Sequence, residues 1–321
     1  MMNQLEDIAS QLLQQQDLVL VGHAIPDGDC IGSMLGLACA LRALGKRVEM
    51  MLENPVPVIY HYLPSWKDIK APQKVERGGF AAVWLDCSDQ CRVDQVVREA
   101  LAGAQLVINI DHHPGNSLFG DYNFVDTQAA ACAEIIYRLL NIMAVPITAD
   151  IANCLYAGLI MDTGRFLNSN TTSLTMQIGA ELLKSGASVE LARNNLFESK
   201  PLKEVVLLKY ALQHLGLSED GKVAWMCLSL DEAVQADARD YHPEGIINYT
   251  RMISGVEVGL LFREVAPGQV KVGFRSRGRV DVASLAREFG GGGHRLAAGA
   301  SLKGSLEEAA ARILARVKDV C

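Results

Sequence analysis

Five aspartates and three histidines stand at the ends of apolar segments in the first half of this chain. His23-Ala24-Ile25-Pro26-Asp27-Gly28-Asp29 follows the apolar run 18–21, Asp86 ends the run 81–85, Asp111-His112-His113 ends the run 106–110, and Asp162 follows 155–161. In an open α/β sheet such ends converge on one crevice. Carboxylate and imidazole donors gathered there suit a pair of Mn²⁺ or Mg²⁺ ions, and that pattern points to metal-assisted phosphoester hydrolysis. His23, Asp27 and Asp29 lie within seven residues, and Pro26 and Gly28 fit the tight turn that aims all three at one place. Asp86 stands alone at its strand end, where it can bridge two ions. A single Asp at a strand end is ordinarily a turn or cap residue. Eight such residues on four segments go beyond that explanation.

The elements that must position these groups can be read from the hydrophobic pattern. Residues 5–15 form an amphipathic helix pattern, 18–22 a buried strand, and 30–44 a small, apolar helix stopped at Gly45. Strands are expected at 47–52, 81–85 and 106–110, with helices near 91–102, 129–142, 149–160 and 173–186. Strands alternating with helices imply a doubly wound, mainly parallel sheet. The character changes after residue 187. A helical segment at 188–215, jointed at Pro201, links to strands at 223–228, 256–263 and 270–274 that read as antiparallel, with helices near 281–289 and 305–318. The expected architecture is therefore α/β, with a catalytic metal-binding domain at 1–187, a helical linker at 188–215, and a smaller mixed α/β domain at 216–321.

With 321 residues, half of them hydrophobic, the chain has enough apolar material for two cores. Its net charge of -7 argues against coating long nucleic acid nonspecifically, which rests on many Lys and Arg contacts to phosphate. Residues 263–321 nevertheless hold 11 Lys/Arg against 6 Asp/Glu, a local +5 suited to an anionic ligand. None of the eight cysteines falls in a C-x-x-C pair, and most have apolar neighbours, so they read as reduced thiols of a cytoplasmic protein. No run approaches a membrane span, and residues 1–16 lack the basic start and apolar core of a signal peptide.

A second set of residues lies in this basic region. Phe274-Arg275-Ser276-Arg277 ends a strand pattern, and Gly290-Gly291-Gly292-Gly293-His294-Arg295 precedes Ala297-Ala298-Gly299. Arg275 and Arg277 can make forked contacts to phosphate, and the glycines expose backbone N–H groups to a close anion. By itself the glycine run reads more readily as a flexible turn beside a solvated basic strand than as an anion site.

Together these motifs resemble the DHH phosphoesterase superfamily. The resemblance rests on His23-x₃-Asp27-Gly28-Asp29-x₂-Gly32-Ser33, Asp86, Asp111-His112-His113 and Asp162-Thr163-Gly164, and it covers nearly the whole chain. It implies one metal on His23, Asp27 and Asp86 and a second on Asp29, Asp86, His112 and Asp162. It further implies that Asp111 orients His112 and that His113 faces substrate, assisting the phosphoryl oxygens or the leaving group. The Arg-Ser-Arg strand followed by the GGGH segment looks like a DHHA1 substrate domain, which implies Arg275, Ser276, Arg277 and His294 as substrate contacts, with Gly291, Gly292 and Gly293 shaping the pocket. A DHH domain followed by DHHA1 at this length is similar to the NrnA-type oligoribonucleases, which also remove the 3′-phosphate of pAp.

The resulting expectation is a cytoplasmic, homodimeric phosphodiesterase dependent on two divalent ions, with Mn²⁺ favoured over Mg²⁺ or Co²⁺. Its substrates would be short RNA oligonucleotides and linear dinucleotides such as pApA or pGpG, with pAp in addition, and no membrane partner is expected. RecJ-like exonucleases, cyclic-dinucleotide phosphodiesterases and family II pyrophosphatases share the metal motifs. The first are usually longer, the second carry membrane-spanning helices, and the third lack the GGGH segment. A nucleotide-binding regulator with a relic metal site is the alternative outside enzymes, and it predicts tight binding without turnover.

Overall fold

The apolar runs of the first half become the strands of a six-stranded parallel sheet. The structure, a computed structural model, describes residues 2–75, 78–239, 241 and 245–321, except the side chains of Arg92 and His294. The chain divides into two compact units, Met1–Ser199 and Lys200–Cys321. The first unit runs α1 (Leu5–Gln14), β1 (Asp17–Val21), α2 (Gly28–Ala43), β2 (Arg47–Met51), β3 (Ile69–Lys70), β4 (Ala81–Leu85) and α3 (Gln95–Ala100). It continues through β5 (Leu106–Asp111), β6 (Tyr122–Val125), α4 (Cys132–Ile142), α5 (Ala149–Asp162), α6 (Ser173–Lys184) and α7 (Val189–Ala192).

The strand order is β3-β2-β1-β4-β5-β6 and every pairing is parallel. The direction of winding reverses between β1 and β4. Alternate residues of each strand serve opposite faces: Leu18, Leu20, Val83 and Leu85 pack with α1, α2, α4 and α5, whereas Val19, Val21, Ala82 and Trp84 pack with α3. Both faces are covered, as a doubly wound sheet requires. Helices α2 and α5 approach unusually closely because Gly32 lies against the Cys154 carbonyl, where an added Cβ would be 2.3 Å from the oxygen. That contact brings the C-terminal end of α5 beside the N-terminal end of α2. The short strands β3 and β6 have no readable pattern in the sequence.

The second unit consists of α8 (Leu202–Gln213), β7 (Gly216–Leu217), β8 (Val223–Leu228), α9 (Leu230–Gln235), α10 (Asn248–Met252), β9 (Val258–Ala266) and β10 (Gln269–Ser276). It ends with α11 (Val282–Glu288), β11 (Gly292–His294), β12 (Ala297–Lys303) and α12 (Leu306–Lys318). Its sheet has the order β11-β12-β10-β9-β8-β7. Val270, Val272 and Phe274 of β10 face a core completed by Leu285 of α11 and Ile313 of α12. On the opposite face Leu207 and Ala211 of α8 cover Met226, Leu228 and Leu261. One pairing corrects the sequence reading: β8 and β9 are parallel, not antiparallel. Helices α9 and α10 lie in the connection between them and supply the crossover that a parallel pair needs.

Candidate metal centre

Strands β1, β4 and β5 are adjacent and parallel, so their C-terminal ends open on the same edge. His23 leaves β1, Asp86 leaves β4, and Asp111-His112-His113 leaves β5. The β1–β4 junction is where the winding reverses, the place where open α/β sheets form their crevice. Asp27 caps α2, its Oδ1 accepting the Asp29 and Cys30 amides at 3.1 Å each. Two residues on, in the first turn of α2, Asp29 is fully buried. Its oxygens accept from the Cys132 and Ala133 amides at 2.5 and 2.8 Å, at the N-terminus of α4, and from Ser33 Oγ at 3.2 Å. Asp162, the last residue of α5, completes the group.

All six residues proposed as metal ligands from sequence meet in this crevice. His23 Nε2 lies 3.4 Å from Asp86 Oδ2 and 3.8 Å from Asp27 Oδ1. His112 Nε2 lies 3.4 Å from the other oxygen of Asp86, 3.3 Å from Asp162 Oδ2 and 3.6 Å from Asp29 Oδ2. Asp86 therefore faces a His23 group with one oxygen and a His112 group with the other. Its backbone is left-handed, φ 56°, a conformation uncommon outside glycine that turns the side chain into the crevice. Groups that can gather ligand atoms around a cation are Asp29/His112/Asp162, Asp86/His112/His113 and His23/Cys30/Asp86. Burial pushes the Cys30 thiol well above its ordinary range, so it favours the neutral form rather than the thiolate a metal would take.

Two buried atoms of the crevice, Asp86 Oδ1 and His112 Nε2, lack a hydrogen-bond partner. His112 Nδ1 sits 3.3 Å from the Ala129 carbonyl, which can only accept. Nδ1 therefore carries the hydrogen, and neutral His112 turns the lone pair of Nε2 toward three carboxylates. A lone pair among anions is repulsive unless a cation lies between them, so the donor set fits a divalent metal.

Without metal, protons take that part. Burial disfavours charged His23, but Asp27 and Asp86 outweigh it and hold the imidazole up at about 9. Burial likewise opposes charging of His112, and Asp86, Asp29 and Asp162 raise it to about 10. Burial and the Asp86 charge push Asp29 up to about 7, and burial with the charges of Asp29, Asp27 and Asp86 pushes Asp162 well above the usual range. Burial would raise Asp86 too, but its histidine partners hold it well below.

These directions set the pH dependence of the metal-free fold. Both histidines have folded values above the unfolded 6.5, so their stabilisation is complete below that pH and is lost as pH rises through about 9 and 10. The opposite contribution of Asp86 falls in the acid range and does not offset this. Each tenfold gain in a histidine's proton affinity on folding corresponds to about 1.4 kcal/mol. Between pH 6.5 and 9.5 the Tm of EDTA-treated protein is expected to fall by roughly 5 °C or more, and Mn²⁺ added at the upper pH should restore it while releasing protons. A flat Tm over that range would show that the histidines are not held by the carboxylates.

The resemblance assigns Asp111 to His112, and the structure corrects this. Asp111 Oδ1 accepts from His113 Nδ1 at 2.8 Å, and His112 is held by Ala129 instead. Side chains alternate along an extended chain, so residues 111 and 113 share a side and 112 points away. His113 Nδ1 is also 3.4 Å from Asp86 Oδ1. Asn116 escapes the sequence reading. Its Nδ2 donates to Asp111 Oδ2 at 2.7 Å and to Asn109 Oδ1 at 2.8 Å, fixing the far side of Asp111. The signal for it is the Pro114-Gly115 turn after the His pair, with Gly115 at φ 80°, which folds Asn116 back on the strand.

In the second unit the sequence-derived contacts separate. Arg275 lines a groove of about 710 Å³ together with Gly290 and Gly291. Ser276 does not: it is fully buried, and its hydroxyl donates to Glu257 Oε1 at 3.0 Å. Strand alternation places 275 and 276 on opposite faces, so Ser276 supports the loop rather than meeting a ligand. The Arg277 guanidinium donates to the Arg251 carbonyl at 2.8 and 3.2 Å. Gly291 and Gly293 have a packing reason, since Cβ atoms there would stand 2.1 Å from the Gly299 carbonyl oxygen and 2.6 Å from Ala298 Cα. Gly292 has open space around it. The side chain of His294 lies outside the described residues.

Comparison with known proteins agrees along nearly the whole chain. The family description "DHH family, N-terminal domain" matches residues 17–159, and "DHHA1 domain" matches residues 229–321. The bifunctional oligoribonuclease and PAP phosphatase NrnA of Thermus thermophilus is 35% identical over 304 residues, 94% of this chain and 89% of that protein. The Bacillus subtilis protein of the same name is 33% identical over 95% of this chain and 94% of its own. The crystal structure of an exopolyphosphatase-related protein from Bacteroides fragilis superposes with a TM-score of 0.89 at 26% identity, covering 97% of this chain and 94% of that one. The metal crevice, the two units and these full-length relatives agree: the chain belongs to the DHH family, with a DHHA1 domain following its DHH domain.

Proposed function

We propose that this protein is a metal-dependent phosphodiesterase that hydrolyses short oligoribonucleotides and linear dinucleotides to mononucleotides and removes the 3′-phosphate of pAp. The observation that carries the reading is the pair of buried, partnerless atoms Asp86 Oδ1 and His112 Nε2, 3.4 Å apart among carboxylates. Relatives named as bifunctional oligoribonuclease and PAP phosphatase, similar along nearly the full length, supply the substrate class. His23, Asp27 and Asp86 would hold one divalent ion, and Asp29, Asp86, His112 and Asp162 a second. Oxygen-rich ligation with one imidazole each favours Mn²⁺, with Mg²⁺ and Co²⁺ as alternatives. Bound there, such ions supply Lewis-acid stabilisation to attacking and leaving oxygens.

The chain's own groups do the rest. Asp111 keeps a hydrogen on His113 Nδ1 and so fixes which ring nitrogen faces outward. With both ring nitrogens protonated, His113 would donate the outward Nε2 hydrogen to the leaving oxygen. Asn116 and Asn109 hold Asp111 in place. In the second unit, the groove of about 710 Å³ has the size of a small-ligand site and carries Arg263, Lys271 and Arg275 for phosphate. Eight free cysteines support a cytoplasmic location. Among the described residues no helix is long and apolar enough to cross a membrane. A homodimer is the expected state, by resemblance to the family.

The test is to strip the metal, add back Mn²⁺ and supply 5′-labelled RNAs of two, five and twenty-four residues, with pAp and pyrophosphate in parallel. Fast cleavage of the two short RNAs and of pAp, with the long RNA nearly intact, is expected. Equal cleavage of the long RNA would indicate a single-strand exonuclease. Hydrolysis of pyrophosphate alone would indicate a pyrophosphatase, and binding without any turnover a regulator.

A further inference from the structure

The groove of the second unit carries more than the arginine that the sequence points to. Register places Lys271 of β10 opposite Arg263 of β9 and Ser301 of β12, so these three side chains form one row across the sheet. Two residues along, the facing row is Leu261, Gly273 and Gly299, and two further on stands Arg275. Lys271, Gly273 and Arg275 share the face away from the Val270, Val272 and Phe274 core. All of these but the core residues Val270 and Phe274 line the groove, and Val272 reaches its floor as well. The groove thus has two cationic levels separated by the row of Leu261, Gly273 and Gly299, with Ile247 packed over Gly273 and Gly299 left open. Four residues of strand put the Cα atoms of Lys271 and Arg275 roughly 13 Å apart. Neighbouring phosphates of one nucleic-acid strand lie closer together than that.

Burial disfavours the charge on Arg263 and pulls the guanidinium below its ordinary value. Lys271 and Ser301 are exposed. A cation held partly desolvated beside a lysine and a hydroxyl is suited to an oxyanion.

We propose that Arg263, Lys271 and Ser301 form a second phosphate subsite, which holds a strand phosphate further along the chain than the one at Arg275. The inference rests on the reading of the second unit as the nucleotide-holding part. Along the strand the backbones of the two levels are more than one internucleotide step apart. A dinucleotide cannot reach both, whereas a pentanucleotide can, with the intervening ribose and base lying over Gly299. Arg275 is thereby common to all substrates, and the Lys271 row adds affinity only for the longer ones.

The test measures binding separately from turnover. Full-length protein in EDTA is titrated with a 3′-fluorescein, 5′-phosphorylated RNA pentamer, and unlabelled pentamer and pApA compete for it. Lys271→Gln is expected to weaken pentamer binding about tenfold and to lower the salt slope of log K by about 0.7, as loss of one single-strand phosphate contact does. Affinity for pApA should stay within about twofold of the unsubstituted value. Ser301→Glu, which adds an anion to the row and leaves both cations in place, should repeat the pattern, and an unchanged Tm would confirm the fold of each variant. Equal losses for pentamer and dinucleotide, or no loss for either, would overturn the subsite. If pentamer selectivity holds but no RNA is cut with Mn²⁺ present, the subsite stands and the proposed function fails.

Discussion

Asp86→Asn is expected to lower kcat/KM on pApA by about a thousandfold or more, because the several kcal/mol of charge stabilisation that bound divalent metal would supply depends on this carboxylate. Asp86 is the residue shared by the His23 and His112 groups, one oxygen facing each. The substitution keeps the side-chain size, and asparagine tolerates the left-handed backbone found at this position. The backbone bond from the residue 86 amide to the Ile110 carbonyl does not involve the side chain and is retained. Loss of activity would therefore reflect lost charge and lost ligation rather than lost fold. Mn²⁺ affinity by calorimetry should fall together with activity. The metal-free protein offers an independent reading. Asp86 is among the groups that hold His23 and His112 up, so the variant's fall in Tm between pH 6.5 and 9.5 should be clearly smaller. Activity within tenfold of the unsubstituted enzyme would contradict the bridging role.

The convergence of His23, Asp86 and the 111–113 triplet is legible in the sequence because parallel strands open in one direction, so residues after each apolar run must meet. Asp162 can be placed from its apolar helix alone, although the contact that carries it to Asp29, Gly32 against the Cys154 carbonyl, has no local pattern. The partner of Asp111 depends on which side each residue takes on leaving β5. The motif as a string of letters does not contain that information, so it points to His112 where His113 belongs. Ser276 is the same lesson on β10: one residue from Arg275, it faces the core side. Strand β12 has no strand signature because its inward residues Ala298 and Ala300 are small and its outward Gly299 has low strand propensity. The β8–β9 pair reads as antiparallel because the helices between its strands are short, six residues in α9 and five in α10. The row of Arg263, Lys271 and Ser301 is invisible in the sequence for a related reason: it exists only through register between three strands.

His113→Gln is expected to reduce kcat on RNA by about a hundredfold to ten-thousandfold, the range for a side chain that transfers a proton in the transition state. KM and Mn²⁺ affinity should change little, since the ring is held by Asp111 at 2.8 Å and stands 3.4 Å from Asp86. If His113 serves the leaving oxygen, the loss must depend on how much that oxygen needs a proton. A nitrophenyl ester of a nucleotide, whose leaving group departs as a stable anion, should lose far less than the RNA dinucleotide does. Asp111→Asn leaves the ring in place but removes the carboxylate that fixes its tautomer, and about a tenfold to hundredfold loss is expected for a partner of this kind. The two residues act as one unit, so the double variant should be no slower than His113→Gln alone. Losses that multiply in the double variant, or that are the same with both leaving groups, would place His113 in substrate binding and remove it from the chemical step.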